Sequence, residues 1–202
     1  MQENQRLIKR AQRGDSDAFE ELVSPYETRI FAICLRIMGN REDALDCAQD
    51  AMLRIFRALG EYRFQAAFTT WLFRITTNVC LDALRRQKVR PSTSLDAMMD
   101  EGFSPPDPAA SPEEALDERE SMRAVREGIA KLPADMRAAL VLRDVQGLPY
   151  EEVAQILHLN LGTVKSRISR ARDRLRKLVL ESQEQTAKSY VQSSERRNAH
   201  DL

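Results

Sequence analysis

Five of the eight prolines, Pro91, Pro105, Pro106, Pro108 and Pro112, crowd into one stretch. Proline fixes φ and lacks the amide proton that helices and sheet ladders need, so no regular element runs through this stretch. Ser92, Ser94, Ser104, Ser111 and the acids Asp96, Asp100, Glu101, Asp107 and Glu113 share it. Residues 91–115 therefore read as an extended acidic linker, disordered by itself. On either side apolar residues recur every three or four positions, and nothing alternates as a strand would. The expected fold is all-α: two small helical domains, 1–90 and 116–180, joined by that flexible linker. Residues 181–202 are polar and without periodicity, which predicts a frayed tail.

A chain of 202 residues can hold one domain or two small ones. Its formal net charge is zero, with 31 basic and 31 acidic side chains, a sum that by itself argues against a nucleic-acid partner. The distribution says otherwise. Residues 91–121 carry nine acids and one base, whereas 162–178 carry seven bases and one acid. Local charge steers a nucleic acid, so the basic segment outweighs the sum. Cys34, Cys47 and Cys80 are isolated, lack CxxC spacing and fall in helical apolar patterns. They read as small buried hydrophobes, as in a reducing compartment. No signal core opens the chain, and no apolar run approaches the ~20 residues of a membrane span, so the expected location is cytoplasmic. His158 and His200 stand alone. No nucleophile–base set, metal cluster or phosphate-cradling glycine loop is evident, so no catalytic residue, metal, cofactor or small-molecule substrate is expected.

In the first domain, Gly14-Asp15 breaks the helical pattern, and Asp15 or Ser16 can cap the helix that begins AFEELV. Phe19, Leu22, Val23, Tyr26, Ile30, Ile33, Cys34 and Ile37 keep helical spacing and read as core. Across 41–59, Leu45, Ala48, Met52, Ile55, Phe56 and Leu59 form an apolar stripe. Asp43, Asp46, Gln49 and Asp50 lie off it, with Arg54 and Arg57 following. That order suits the helix dipole, so a solvated face explains it as well as a partner surface does. Across 61–88, Thr69 is a candidate cap with Phe68 as a hydrophobic staple. Leu72, Ile75, Val79 and Ala83 should point inward. Thr70, Arg74, Thr77, Asn78, Arg85 and Arg86 include groups able to meet a phosphate or a base. The preceding loop sets Tyr62, Phe64 and Phe68 beside Arg63. Aromatics beside a cation suit bases that have left the duplex stack, although they can equally seal the core. Trp71 reads as packing inward.

In the second domain, Leu132-Pro133 opens a helix through PADMRAALVLRDV, and Gly147 follows as its stop. Residues 150–157 give a short helix, 158–160 a turn, and about 161–178 a longer basic helix: a helix-turn-helix. With Val164 at 0° and 100° per residue, Leu161, Ile168, Ala171, Leu175 and Leu178 fall within about 60° of it. Ser166, Ser169 and Arg170 fall opposite. Lys165 and Arg172 flank one edge and Arg167 the other. Small serines let a helix approach the floor of the major groove, Arg and Lys reach guanine, and flanking cations hold phosphates. A merely solvated helix balances Glu against Lys, but residues 162–172 contain no acid.

Three segments now carry a resemblance: DAFEELVSPYETRIFAICLRIMGNREDALDCAQDAMLRIFRAL, FTTWLFRITTNVCLDALRR and LPADMRAALVLRDVQGLPYEEVAQILHLNLGTVKSRISRARDRLRKLV. In their order and spacing they make residues 17–88 and 116–178, some 135 of 202, resemble the two domains of bacterial extracytoplasmic-function sigma factors, group 4 of the sigma-70 family. Members often carry Ser where this chain has Pro149, a residue tolerated at a helix start. The resemblance implies a sigma factor that binds core RNA polymerase and directs it to promoters. It implies that Asp46, Gln49, Asp50 and Arg54 dock on the polymerase clamp. The loop Tyr62, Arg63, Phe64 and Phe68 and the helix with Thr70, Arg74, Asn78 and Arg85 would then hold the opened −10 element of promoter DNA. Thr163, Lys165, Ser166, Ser169 and Arg170 would read −35, with Arg167 and Arg172 beside them. It also implies control by an anti-sigma factor, in many members a membrane-anchored one. The alternatives are a stand-alone dimeric helix-turn-helix regulator and a decoy that occupies an anti-sigma factor. The linker is long enough for the first reading. Twenty-five extended residues span at most about 80–90 Å, and duplex sites two turns apart lie about 70 Å apart.

Overall fold

The computed structural model describes residues 2–89 and 112–198, with side-chain environments for 5–87 and 120–185. The expected linker falls mostly outside the described residues. No strand occurs among those described, so the all-α expectation is met.

Helix α1 (Gln2–Ala11) stops before Gly14, whose φ is +93°. The Asp15 carboxylate then caps α2 (Ser16–Val23), accepting from Ala18 N at 3.0 Å and from Arg10 Nε at 2.9 Å. Spacing alone suggests an unbroken helix from here to Ile37. Pro25, with no amide proton to donate, instead sits in a 3₁₀ turn, Ser24–Tyr26, before α3 (Glu27–Met38). Gly39 (φ +85°) ends α3, and Asn40 caps α4 (Arg41–Ala58) by accepting from Asp43 N at 2.8 Å. Helix α5 (Phe68–Val89) starts two residues earlier than a cap at Thr69 would allow. Trp71 N already bonds Ala67 O at 3.0 Å, so Thr69 lies inside the helix and is not its cap.

The fully buried stripe across 41–59 shares only Ile55 and Leu59 with the expected one. Ala44, Cys47, Ala51, Ile55 and Leu59 are buried, while Leu45, Leu53 and Phe56 are 49%, 50% and 54% exposed. Helix α4 packs on both α3 and α5. Alanines and a cysteine let three backbones approach closely, which larger side chains would prevent. Close approach, not side-chain size, selects the inner face.

The second bundle begins with α6 (Pro112–Ala130). Proline at a first helical position is favourable, so the helix takes in the last residues of the expected linker. Helix α7 (Ala134–Leu140) runs into a single π turn, Val141–Val145, and Gly147 (φ +71°) ends it. Then come α8 (Tyr150–Leu157), a turn through His158 (φ +52°), and α9 (Leu161–Asn198). The expected frayed tail from 181 is thus helical to Asn198. The chain has no Gly or Pro from 163 to 198 and is rich in Gln, Glu, Ala, Lys and Arg, so nothing stops the helix.

The two bundles share one continuous buried cluster. The buried Arg137 guanidinium ties them together. It donates to Ile37 O at the end of α3, to Ala130 O at the end of α6, and to Leu132 O at 3.1 Å. A cation at two helix C-termini is favourable, because both present unpaired carbonyls and negative dipole ends. Burial nevertheless pulls its pKa below the ordinary value. Arg29 makes a second tie, lying over the Phe73 ring at 4.7 Å and donating to Gln146 Oε1 at 3.2 Å.

Candidate nucleic-acid interface

The basic helix is positioned from its first turn. Asn160 Oδ1 accepts from Thr163 N at 2.7 Å, capping α9. Val164, Ile168 and Ala171 are buried and fix its rotation, with Leu175 and Leu178 half-buried behind them. The opposite face presents Ser166, Ser169 and Arg170 to solvent, as the wheel predicts. Arg170 lies back along the helix, donating to Ser166 O at 3.2 Å and to Ser166 Oγ at 3.4 Å. An exposed Arg held only by its own helix can swing toward a base edge at small cost.

Other candidate cations are already engaged. Arg172 Nε donates to Asp144 Oδ2 at 2.8 Å with a second bond alongside, and that carboxylate raises the guanidinium's pKa. Arg167 points toward Asp135 at 3.7 Å and is largely covered. Lys165 Nζ sits 5.9 Å from the Tyr150 ring centroid, which also receives Arg143 at 4.6 Å. Arg172 and Arg167 therefore orient α9 against α7 and the π turn, whereas Lys165, Ser166, Ser169 and Arg170 remain exposed. Asp144 lies 28 positions from Arg172, and no helical periodicity links the two.

The aromatic loop before α5 forms a nearly closed cluster. Tyr62 packs its ring 4.9 Å from Phe64, 5.6 Å from Phe68 and 5.2 Å from Trp71, and its hydroxyl donates to Ala66 O at 2.8 Å. Tyr62, Phe68 and Trp71 are buried; Arg63 and Phe64 are exposed, and Phe64 has φ +59°. A left-handed backbone is costly for an aromatic residue, and such conformations gather where a side chain must be held in an unusual direction. On α5, Arg74 is half-buried and Asn78 exposed, while Arg85 Nη1 bonds Asp82 at 2.9 Å. Thr70 is buried, and its hydroxyl donates to Glu152 Oε2 of α8 at 3.0 Å.

A third surface lies on α4. Asp46 and Gln49 are exposed, and Arg54 pairs with Asp50 at 2.9 Å and reaches Asp82 at 3.8 Å. Leu45, Leu53 and Phe56 stand beside them on the outside of α4. Three large apolar groups, half-exposed and rimmed by charge, make this face more apolar than a merely solvated one. The expected stripe placed two of these three inside, and the exposed surface is a consequence of the close packing underneath. No described helix is long and apolar enough to cross a membrane.

Comparison with known proteins finds a family match in each bundle. Residues 22–90 match the family model for sigma-70 region 2, and residues 122–175 match that for sigma-70 region 4. The RNA polymerase sigma-H factor of Pseudomonas aeruginosa is 39% identical over 180 residues, covering 87% of this chain and 93% of the relative. The extracytoplasmic-function sigma factor SigW of Bacillus subtilis is 36% identical, covering 84% of this chain and 93% of the relative. Among solved structures, CnrH in complex with the cytosolic domain of CnrY aligns with a TM-score of 0.62 and 25% identity, over 88% of this chain and 97% of that one. The sigma factor RpoE bound to the anti-sigma factor NepR from Bartonella quintana has a similar fold, with a TM-score of 0.61 and 23% identity over 80% of this chain and 96% of that one.

Proposed function

As this chain belongs to the extracytoplasmic-function group of sigma-70 RNA polymerase sigma factors, which direct promoter-specific transcription, we propose how its surfaces divide that work. Helix α9 reads the −35 element in the major groove with Ser166, Ser169, Arg170 and Lys165. The acid-free face they form is the observation that carries this assignment. Thr163, at the capped first turn, offers its hydroxyl to a phosphate, and Arg167 and Arg172 hold the helix at its reading angle.

Helix α5 and the loop before it take the opened −10 strand. The exposed pair Arg63 and Phe64 offers a cation and a stacking face, and Arg74, Asn78 and Arg85 follow along the helix. Tyr62 and Phe68 act mainly as the wall that sets Phe64 outward. Opening DNA in this way needs binding energy for unstacked bases and no chemical step, in keeping with a family whose members are not in general enzymes.

Helix α4 docks on core polymerase through Asp46, Gln49, Asp50 and Arg54, with Leu45, Leu53 and Phe56 supplying the apolar contact. The partners seen with the two solved relatives support an anti-sigma factor as this chain's regulator. The decisive experiment is run-off transcription with purified core polymerase and this chain. Specific starts on a promoter that the same core ignores without the chain are the expected result. Binding of isolated duplex DNA as a dimer, with no polymerase-dependent starts, favours the stand-alone regulator instead.

A further inference from the structure

Three cysteines gather inside the first bundle. Cys34 comes from α3, Cys47 from α4 and Cys80 from α5, and each of these helices packs on the other two. All three thiols are free and buried. Cys80 interacts with both Cys34 and Cys47, so the three form a row with Cys80 in the middle. Among the described residues no three metal-ligating groups converge on one point, so the row suits thiol–thiol chemistry rather than a held cation. A free cysteine packs as a small hydrophobe, and packing alone does not call for three side by side.

The members of the row differ. Cys34 and Cys80 are fully enclosed, whereas Cys47 keeps 5% of its surface exposed. The Cys80 thiol holds the Cys47 pKa below the ordinary value, against burial and the charges of Asp43, Asp50 and Asp46. Cys34 first, then Cys47 and burial, push Cys80 up, so Cys80 keeps its proton. The thiolate is the reacting form, and Cys47 therefore reacts first. The three carboxylates around it repel anions such as glutathione disulfide and admit a small neutral oxidant.

We infer that Cys47 and Cys80 form a reversible oxidation site for hydrogen peroxide. The Cys47 thiolate attacks one peroxide oxygen, the O–O bond breaks, and hydroxide leaves with a sulfenic acid formed on Cys47. The Cys80 sulfur then attacks the Cys47 sulfur. The Cys80 proton and the sulfenic hydroxyl leave as water, and a disulfide remains. Such a bond holds the sulfurs about 2.05 Å apart and needs Cα atoms within about 7 Å. Ala44 and Ala51, about one turn to either side of Cys47, are buried small residues that favour this approach. The bond draws α4 toward α5 and so misaligns the polymerase-docking face with the −10 face. This effect on transcription rests on the assignments of α4 and α5; the bond itself does not.

The test treats the full reduced chain with hydrogen peroxide, blocks remaining thiols during unfolding, and maps peptides without reduction. A 47–80 bond should appear. Run-off by holoenzyme rebuilt with the oxidised chain should fall at least fivefold, and dithiothreitol should restore it. Recovery by a thiol reagent separates this bond from methionine oxidation, which calls for its own reductases. Cys47→Ala, a small residue on the small-residue face of α4, should keep run-off and lose the sensitivity to peroxide. In the parent chain, three thiols that all remain open to blocking after peroxide overturn the proposal, as does a 34–80 bond with Cys47 free. A 47–80 bond that leaves run-off unchanged overturns the misalignment. An untreated chain that gives no promoter-specific starts instead removes the functional reading, while a 47–80 bond in it leaves the oxidation site standing.

Discussion

Single residues in this chain divide by what else holds them. Arg170 is exposed and held only by its own helix, so it can reach a base. Arg170→Ala should cost about 1–3 kcal/mol against one −35 base pair and little against its variants, as read by competition binding of the holoenzyme to promoters changed one pair at a time. Equal loss on every sequence would make it a phosphate contact. Arg172 looks equivalent in the sequence but is committed to Asp144. The wheel sorts inside from outside because burial has a period; it cannot sort a spare cation from a paired one, because the pairing acid lies 28 positions away. Asp15 offers a pH test. The Ala18 amide first, and Arg10 after it, hold its carboxyl below the ordinary 3.8. A depressed carboxyl stabilises the fold above the unfolded pKa and ceases to do so as pH falls through the folded one. Asp15→Asn should therefore lower the urea midpoint near neutral pH. The gap to the parent should close only as pH drops below 3.8.

At the level of elements, most boundaries were legible because they depend on local chemistry. Gly39, Asn40, Gly147 and Pro149 stop or start helices by their own backbone and side-chain properties. The inner face of α4 was not legible. Its sequence carries two apolar stripes, and only contact with α3 and α5 chooses the one with small residues. Leu45 and Phe56, with Leu53, are left on the outer surface. Leu53→Glu should leave melting nearly unchanged, within about 0.5 kcal/mol for an exposed site, yet weaken binding to core polymerase at least tenfold in a fluorescence titration. Equal affinity would remove Leu53 from the interface. Helix α9 can be tested at its cap. Asn160→Ala should cost about 1 kcal/mol of stability and blur −35 recognition, while Asn160→Asp should keep the cap.

For the whole molecule, the prolines announced two bodies and a tether, but nothing local announced that the bodies meet. Their contact joins residues far apart in the chain: apolar side chains of both share one buried cluster, and Arg137 and Glu152 reach Ile37 and Thr70. The tether sets a reach. The described helices end at Val89 and resume at Pro112, and the 22 residues between span at most about 80 Å. Removing ten leaves about 43 Å, short of the ~70 Å between duplex sites two turns apart. Such a deletion should abolish dependence on −35 while keeping −10 discrimination, and a promoter with −35 moved one turn closer should restore it. The ties between the bundles also respond to their medium differently from the grip on DNA. Arg137 and Arg29 donate to neutral carbonyl and amide oxygens at contact distance, where dissolved ions, which screen over about 10 Å at 0.1 M, intervene little. Promoter binding releases condensed counterions and weakens steeply with salt. Rising ionic strength should thus loosen the chain on its promoter while sparing the contact between its two bundles.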